Sequence, residues 1–173
     1  MKERVDFLKK VPAFKGVGDD GLARLAAICK TVEMKAGEDI IREGEEGDCV
    51  YIIEEGQVEV SMAITMGRNL WEEESGAMDK VLVKLGPGTM FGEMAFIFDR
   101  DLRSATITAL TDGRLLSITS ADFKRFAEQD VKSAYRIVLD IAQIIATRLR
   151  KTNQDVRKLT TVLTIALRKP RNK

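Results

Sequence analysis

All 13 glycines of this 173-residue chain lie before residue 114, and from Val131 to Lys169 there is no proline either. Glycine and proline interrupt helices most strongly, so the chain divides into a glycine-punctuated body and one long unbroken helix. Within that helix Ile145, Leu149, Thr152, Val156, Leu159, Leu163 and Ala166 follow alternating steps of four and three. This is a heptad seam of about three repeats, of the width that a second such helix covers. The spacing predicts a homodimer through a helix over residues 131–167. Thr152 is the polar member of the seam; it either fixes register at some loss of stability or lies beside a ligand.

The body begins with a helical segment over residues 1–30. Val5, Leu8 and Val11 have helical spacing, predicting a short helix over Val5 to Phe14, and Asp19 or Asp20 can cap a second helix ending near Cys29. From Thr31 the period changes. TVEM, DII, CVYIIE, QVEVSMAITM, KVLVKL, SATITAL and RLLSIT are short runs with β-branched or aromatic residues, separated by glycines. Strands at roughly ten-residue spacing with turn signals between them indicate an all-β sandwich or barrel over residues 31–130. Glu54 to Gln57 reads as a hairpin turn, and Arg68 to Asp79 as a polar hairpin tip carrying Trp71, the only tryptophan. Ser120 is placed to cap a helix whose Phe123 and Phe126 close the barrel. Residues 131–173 then form the long helix and a basic tail.

The chain contains no histidine. That removes the usual general base, the commonest metal ligand and every nucleophile–histidine pairing. No catalytic residues, metal ligands or cofactor are expected, and the chain is read as a protein other than an enzyme. Cys29 and Cys49 fit no metal or redox spacing and read as reduced packing residues. No run is long enough to span a membrane, and the charged Met1 to Lys10 is unlike a secretory signal, so the expected location is the cytoplasm. Net charge is +1, yet from Ile145 onward nine Lys or Arg (among them Arg148, Arg150, Lys151 and Arg157) face one acid, Asp155.

The stretch Phe91 to Thr106, FGEMAFIFDRDLRSAT, carries the chemistry. Gly92 lets backbone approach a ligand closely, and a helical turn opening at Glu93 presents unpartnered N–H groups. An anion is the natural guest of such a corner. Arg103, ten residues after Glu93, adds a planar fork of donors that matches two phosphate oxygens. Glu93 would be repelled by a phosphate and is better placed to accept from a sugar hydroxyl. From the residues alone, an internal Glu93–Arg103 ion pair across the corner explains the same pattern.

KAGEDIIREGEEGDCVYIIEEGQVEV (Lys35 to Val60), LGPGTMFGEMAF (Leu85 to Phe96) and RSAT (Arg103 to Thr106) together resemble the cyclic nucleotide-binding domain. The likeness runs from about Phe7 to about Val156. It implies a mainly β fold, an eight-stranded jelly-roll with flanking helices and a long C-terminal dimerisation helix, with the phosphate cassette at residues 91–106. By similarity Arg103 holds the cyclic phosphate, and Gly92, Met94, Ala95, Ser104 and Ala105 complete the cassette. Glu93 takes the ribose 2′-hydroxyl, and Val60, Leu82 and Val83 form apolar walls. In activators resembling the catabolite activator protein, the long helix supplies a Thr-Ser pair to the purine. IATRLRKTNQDV (Ile145 to Val156) is similar to that segment and places Thr152 and Asn153 at the pair, with Arg148 a further candidate contact. Asn153 stands where those activators have serine.

The expected function is a dimeric regulatory sensor of a cyclic purine nucleotide, cyclic AMP with cyclic GMP as the other candidate. No helix-turn-helix follows, so DNA binding by that route is not expected, and the response is expected to pass to a separate effector protein. The rival reading keeps the fold as a structural or interaction dimer with Glu93 and Arg103 paired internally. Direct contact of the basic tail with nucleic acid and an enzyme on a cupin-like roll are weaker rivals, the second because such metal sites use histidines.

Overall fold

The computed structural model describes residues 1–65, 77–97 and 101–167. Two helices open the chain, α1 (Lys2–Leu8) and α2 (Asp19–Ile28), with a 3-10 turn at Pro12–Phe14 between them. The predicted Val5–Phe14 helix therefore stops short. Pro12 has no N–H for the ladder and its ring crowds the preceding turn, so the segment breaks at Lys9. Helix α2 starts as expected, but its N-cap is Gly18, and Asp19 and Asp20 occupy the first turn. Their charges favour the positive helix end without making a capping bond.

Ten strands follow among the described residues: β1 (Lys30–Met34), β2 (Asp39–Ile41), β3 (Glu46–Gly47), β4 (Cys49–Glu55), β5 (Val58–Thr65), β6 (Ala77–Leu85), β7 (Met90–Phe91), β8 (Asp101–Leu102), β9 (Thr106–Ala109) and β10 (Gly113–Thr119). They make one four-stranded sheet in the order β1-β10-β4-β7, a second in the order β2-β9-β5-β6, and the small pair β3-β8. The pairings are antiparallel, and the two larger sheets supply the eight strands of the jelly-roll.

Glu54 to Gln57 is not a hairpin turn. β4 pairs with β10 and β7, whereas β5 pairs with β9 and β6, so the chain crosses here from one sheet to the other. The reason lies in burial. Ile53 and Leu115 face the inside of the roll, while their neighbours Ile52 and Leu116 belong to a second core beneath the helices. A strand apolar on both faces needs a covering layer on each side, and β4 finds it in a sheet that β5 does not share. β5 and β6 do form the expected hairpin, from Val58 opposite Leu85 to Thr65 opposite Ala77. Trp71 lies outside the described residues.

Two cores result. One, inside the roll, contains Met34, Ile41, Ile53, Val58, Phe91, Ile107, Ala109 and Leu115. The other lies between the outer face of the first sheet and the helices, and holds Leu8, Leu22, Leu25, Val50, Phe96, Phe126 and Ile137 among others. Phe123 and Phe126 sit in this outer core, with the Phe123 ring edge-on to Phe96 at 5.3 Å, rather than closing the roll. They ride on α4 (Ser120–Gln129), whose cap is Thr119: its hydroxyl accepts from the Asp122 N–H at 3.1 Å. Ser120, the expected cap, instead donates to Phe96 O at 2.9 Å and ties α4 to α3 (Glu93–Ile97).

Helix α5 (Val131–Leu167) runs for 37 residues, about 55 Å at 1.5 Å per residue. Asp130 sets its start. One carboxylate oxygen accepts from Ser133 N at 3.1 Å and the other from Arg24 Nη2 at 2.5 Å, and these donors hold the carboxyl down at about 2. Ala134, Ile137 and Ile141 bury one face of α5. On the exposed side the heptad steps continue back from Ile145 through Ala142, Val138 and Tyr135 to Val131. The stripe thus extends two repeats further toward the N-terminus than the tail sequence suggested. No helix of the described residues is long and apolar enough to cross a membrane.

Candidate functional site

Phe91 ends β7 inside the roll, stacked on Tyr51 at 5.3 Å, and the chain must then turn sharply into α3. Gly92 makes that turn at φ +80°, a conformation side chains disfavour, and a Cβ there would lie 2.8 Å from Arg103 Nη1. Its carbonyl both receives the Phe96 N–H, the first bond of α3, and accepts from Arg103 Nη1 at 3.2 Å. One glycine therefore fixes the direction of α3 and part of the seat of Arg103.

The guanidinium of Arg103 is buried, with the residue 8% exposed. Nη1 donates to Cys49 O at 3.0 Å as well as to Gly92 O, and Nη2 donates to Cys49 Sγ at 3.4 Å. All three partners are uncharged. No carboxylate among the described residues lies within ion-pairing distance. Nε donates to no acceptor among the described residues, and Nη2 has no oxygen acceptor there. An isolated buried charge is strongly unfavourable without a counter-charge, so this arrangement calls for an anion.

The internal Glu93–Arg103 pair does not form. Glu93, 6% exposed, accepts from Arg148 Nη1 of α5 at 2.6 Å, and Arg148 Nη2 donates to Met90 O at 2.6 Å. The two charged groups face the same space from different walls, each with its own partner, because α5 delivers a guanidinium closer to Glu93 than Arg103 comes. Oε2 of Glu93 has no donor among the described residues.

Between them lies a cavity of about 100 Å³. Val60, Gly92, Glu93, Met94, Arg103, Ser104 and Ala105 line it, as anticipated from the sequence, together with Ile41, Leu102 and Ile107. Those last three were missed. Ile107 alternates with half-buried positions along β9 and could have been found from its period; Ile41 and Leu102 come from short strands with no legible register. Ser104 Oγ donates to Met94 Sδ at 3.6 Å across the mouth.

Not every expected residue gathers here. Val83 is 40% exposed and does not line the cavity. Leu82 falls in β6 and Ala95 in α3, their side chains outside those described. Thr152 and Asn153 sit about one turn beyond Arg148 on the exposed stretch of α5, away from the cavity, with the Thr152 hydroxyl donating to Arg148 O at 3.1 Å. Both cysteines are free thiols. Cys29 is plain packing, its thiol pushed up to about 12 by burial, whereas Cys49 belongs to the site through its contacts with Arg103.

The cyclic nucleotide-binding domain profile matches residues 31–130. The chain is 28% identical over 154 residues to a CRP-like cAMP-activated global transcriptional regulator of Mycobacterium tuberculosis, which covers 89% of this chain and 62% of that protein. The chain thus spans less than two thirds of that relative's length. Among solved structures, a cyclic nucleotide-binding domain from Methylobacillus flagellatus superposes with a TM-score of 0.75 at 20% identity, covering 91% of this chain and 84% of the other. The regulatory domain of Toxoplasma gondii PKA, solved with cAMP, superposes with a TM-score of 0.65 at 25% identity over 82% of this chain and 49% of that one. With more than half of its residues matched by the family profile, and with a buried arginine and a buried glutamate on the walls of one cavity in a jelly-roll, the chain belongs to the cyclic nucleotide-binding domain family.

Proposed function

We propose that this protein is a cyclic AMP sensor that works as a homodimer through α5 and passes the signal to a separate effector protein. The observation that carries the ligand reading is the buried Arg103 guanidinium, held by neutral acceptors only, at the wall of the cassette cavity. Its remaining donor edge suits two oxygens of a cyclic phosphate, with Ser104 and the Ala105 backbone beside it. Glu93 accepts from the ribose 2′-hydroxyl, and Val60 and Leu82 flank the sugar and base. Thr152 and Asn153 meet the purine, one of them from the partner copy, which accounts for their position outside the cavity of a single chain. Cyclic AMP is named first because one similar protein is cAMP-activated and another was solved with cAMP; cyclic GMP is the alternative, since a cGMP-dependent protein kinase of Drosophila melanogaster is 34% identical over 105 residues.

The dimer reading is supported by the stripe along α5, where Tyr135 and Leu159 are each 64% exposed in the single chain. Signalling follows from Arg148. A ribose hydroxyl that bonds to Glu93 changes the partner set of the carboxylate that Arg148 of α5 holds, and so biases where that helix sits. Thermal shift with each cyclic nucleotide tests the ligand: a ligand at 100 times its dissociation constant adds about 2.7 kcal/mol of stability. A rise in melting temperature with cyclic AMP, absent for 5′-AMP, is expected. No rise with either cyclic purine nucleotide would leave the structural-dimer reading in its place.

A further inference from the structure

Arg103 is held along its whole length by one short segment, residues 44–49. Its main-chain N–H donates to Glu45 O at 2.8 Å, and its carbonyl accepts from Gly44 N at 2.8 Å. The ladder continues with Leu102 opposite Glu46 and Asp101 opposite Gly47. The side chain then folds back over the same segment to reach Cys49 O and Cys49 Sγ. Between these anchors lies Gly47. A Cβ built on it would fall 1.9 Å from Nε, 2.2 Å from Cζ and 2.5 Å from Nη2 of Arg103. The guanidinium occupies the space a side chain would need.

The backbone of Gly47 gives no other reason for glycine, since its φ is outside the left-handed region where Gly44 and Gly92 lie. Close approach is the remaining reason. Nε and Nη2, the atoms a methyl group would strike, are also the two whose hydrogens are left for an anion. The guanidinium has no soft way to yield, because its Nη1 is tied to two backbone carbonyls.

We infer that Gly47 is the positioning residue for Arg103: its bare Cα is the surface on which the phosphate-binding guanidinium is seated, and any side chain there lifts the guanidinium out of register with the cassette. The inference rests on Arg103 being the phosphate ligand, and two cycles of variants separate the two ideas. In the first, cyclic AMP and cyclic GMP are titrated calorimetrically into the unaltered protein, Gly47→Ala, Arg103→Ala and the double variant. Gly47→Ala is expected to weaken binding about tenfold or more, and by less than about twofold in the Arg103→Ala background, because sites acting through one another are not additive. In the second, urea unfolding without added nucleotide compares the same four proteins. Gly47→Ala should lower the midpoint when Arg103 is present and recover most of that loss when it is absent. A Gly47→Ala protein too unstable to fold is covered by the double variant, which folds if the clash is with Arg103 and fails if the fault lies elsewhere. Unchanged affinity in Gly47→Ala, or losses that add in both cycles, would overturn the inference. If the unaltered protein takes neither nucleotide, the ligand reading fails while the unfolding cycle still decides whether Gly47 seats Arg103.

Discussion

Arg148 places Nη1 2.6 Å from Oε1 of Glu93, so the long helix α5 is tied to a buried carboxylate of the cassette. Its second nitrogen bonds to Met90 O at 2.6 Å, two residues before Gly92. The two bonds join both ends of the cassette entry to α5. Removing the guanidinium leaves Glu93 buried beside apolar atoms; an unsatisfied buried group costs about 1–3 kcal/mol, and a charged one more. Because Arg148 is partly exposed, Arg148→Met should fall toward the lower end of that range; its urea unfolding curve against that of the unaltered protein checks this.

Arg103→Ala should lower affinity for the cyclic nucleotide by one to two decades, since charge-assisted bonds to a buried phosphate are worth roughly 1.5–3 kcal/mol each. Stability without nucleotide should change little or even rise, because an isolated buried charge goes with the side chain. Calorimetric titration and a melting curve read the two effects separately. Unaltered affinity would remove Arg103 from the site.

Acid stability should depend on Asp130. Its folded carboxyl sits at about 2, below the ordinary 3.8, chiefly because Arg24 and Ser133 donate to it. A depressed carboxyl contributes stability that is present in full above the unfolded value and is lost as pH falls through the folded one. The loss should therefore fall between about pH 4 and pH 2, and denaturation midpoints of Asp130→Asn and the unaltered protein should converge over that window. Parallel curves down to pH 2 would assign the acid limb to other groups.

Leu159→Lys puts a charge into the exposed stripe of α5 and should convert the dimer to monomer, read by sedimentation equilibrium. The substitution touches no group of the cassette, so the melting temperature of the domain at low protein concentration should stay within about a degree or two, as for surface changes generally. A protein already monomeric before substitution would refute the dimer.

Much of this was legible in the chain. The glycine boundary gave the division into roll and rod, because propensity summed over some forty residues outweighs local noise. The cassette was legible because Gly92, Glu93 and Arg103 lie close in sequence and each does a job few residue types can do. Pairing was not. Glu54 to Gln57 has turn chemistry, but turn residues say only that the chain bends, and the sheet each strand joins depends on partners far along the chain, β10 for β4 and β9 for β5. Nor could spacing choose the partner of Glu93. Arg103 and Arg148 are both available, and the choice depends on where α5 crosses α3, a packing outcome with no local signature. The role of Cys49 was hidden for the same reason, since its contact is with a residue 54 positions on.

Among the described residues the last tie between α5 and the body is at Arg148, and the nineteen or so residues from there to Leu167 are exposed throughout. That leaves a rod of roughly 28 Å beyond its pivot. Such a rod is a lever: turning it by about 5° at the root carries its tip some 2–3 Å, about half a helical pitch. A rearrangement at Glu93 too small to disturb the roll is thereby magnified at the far end, where it can be felt by whatever the tip touches.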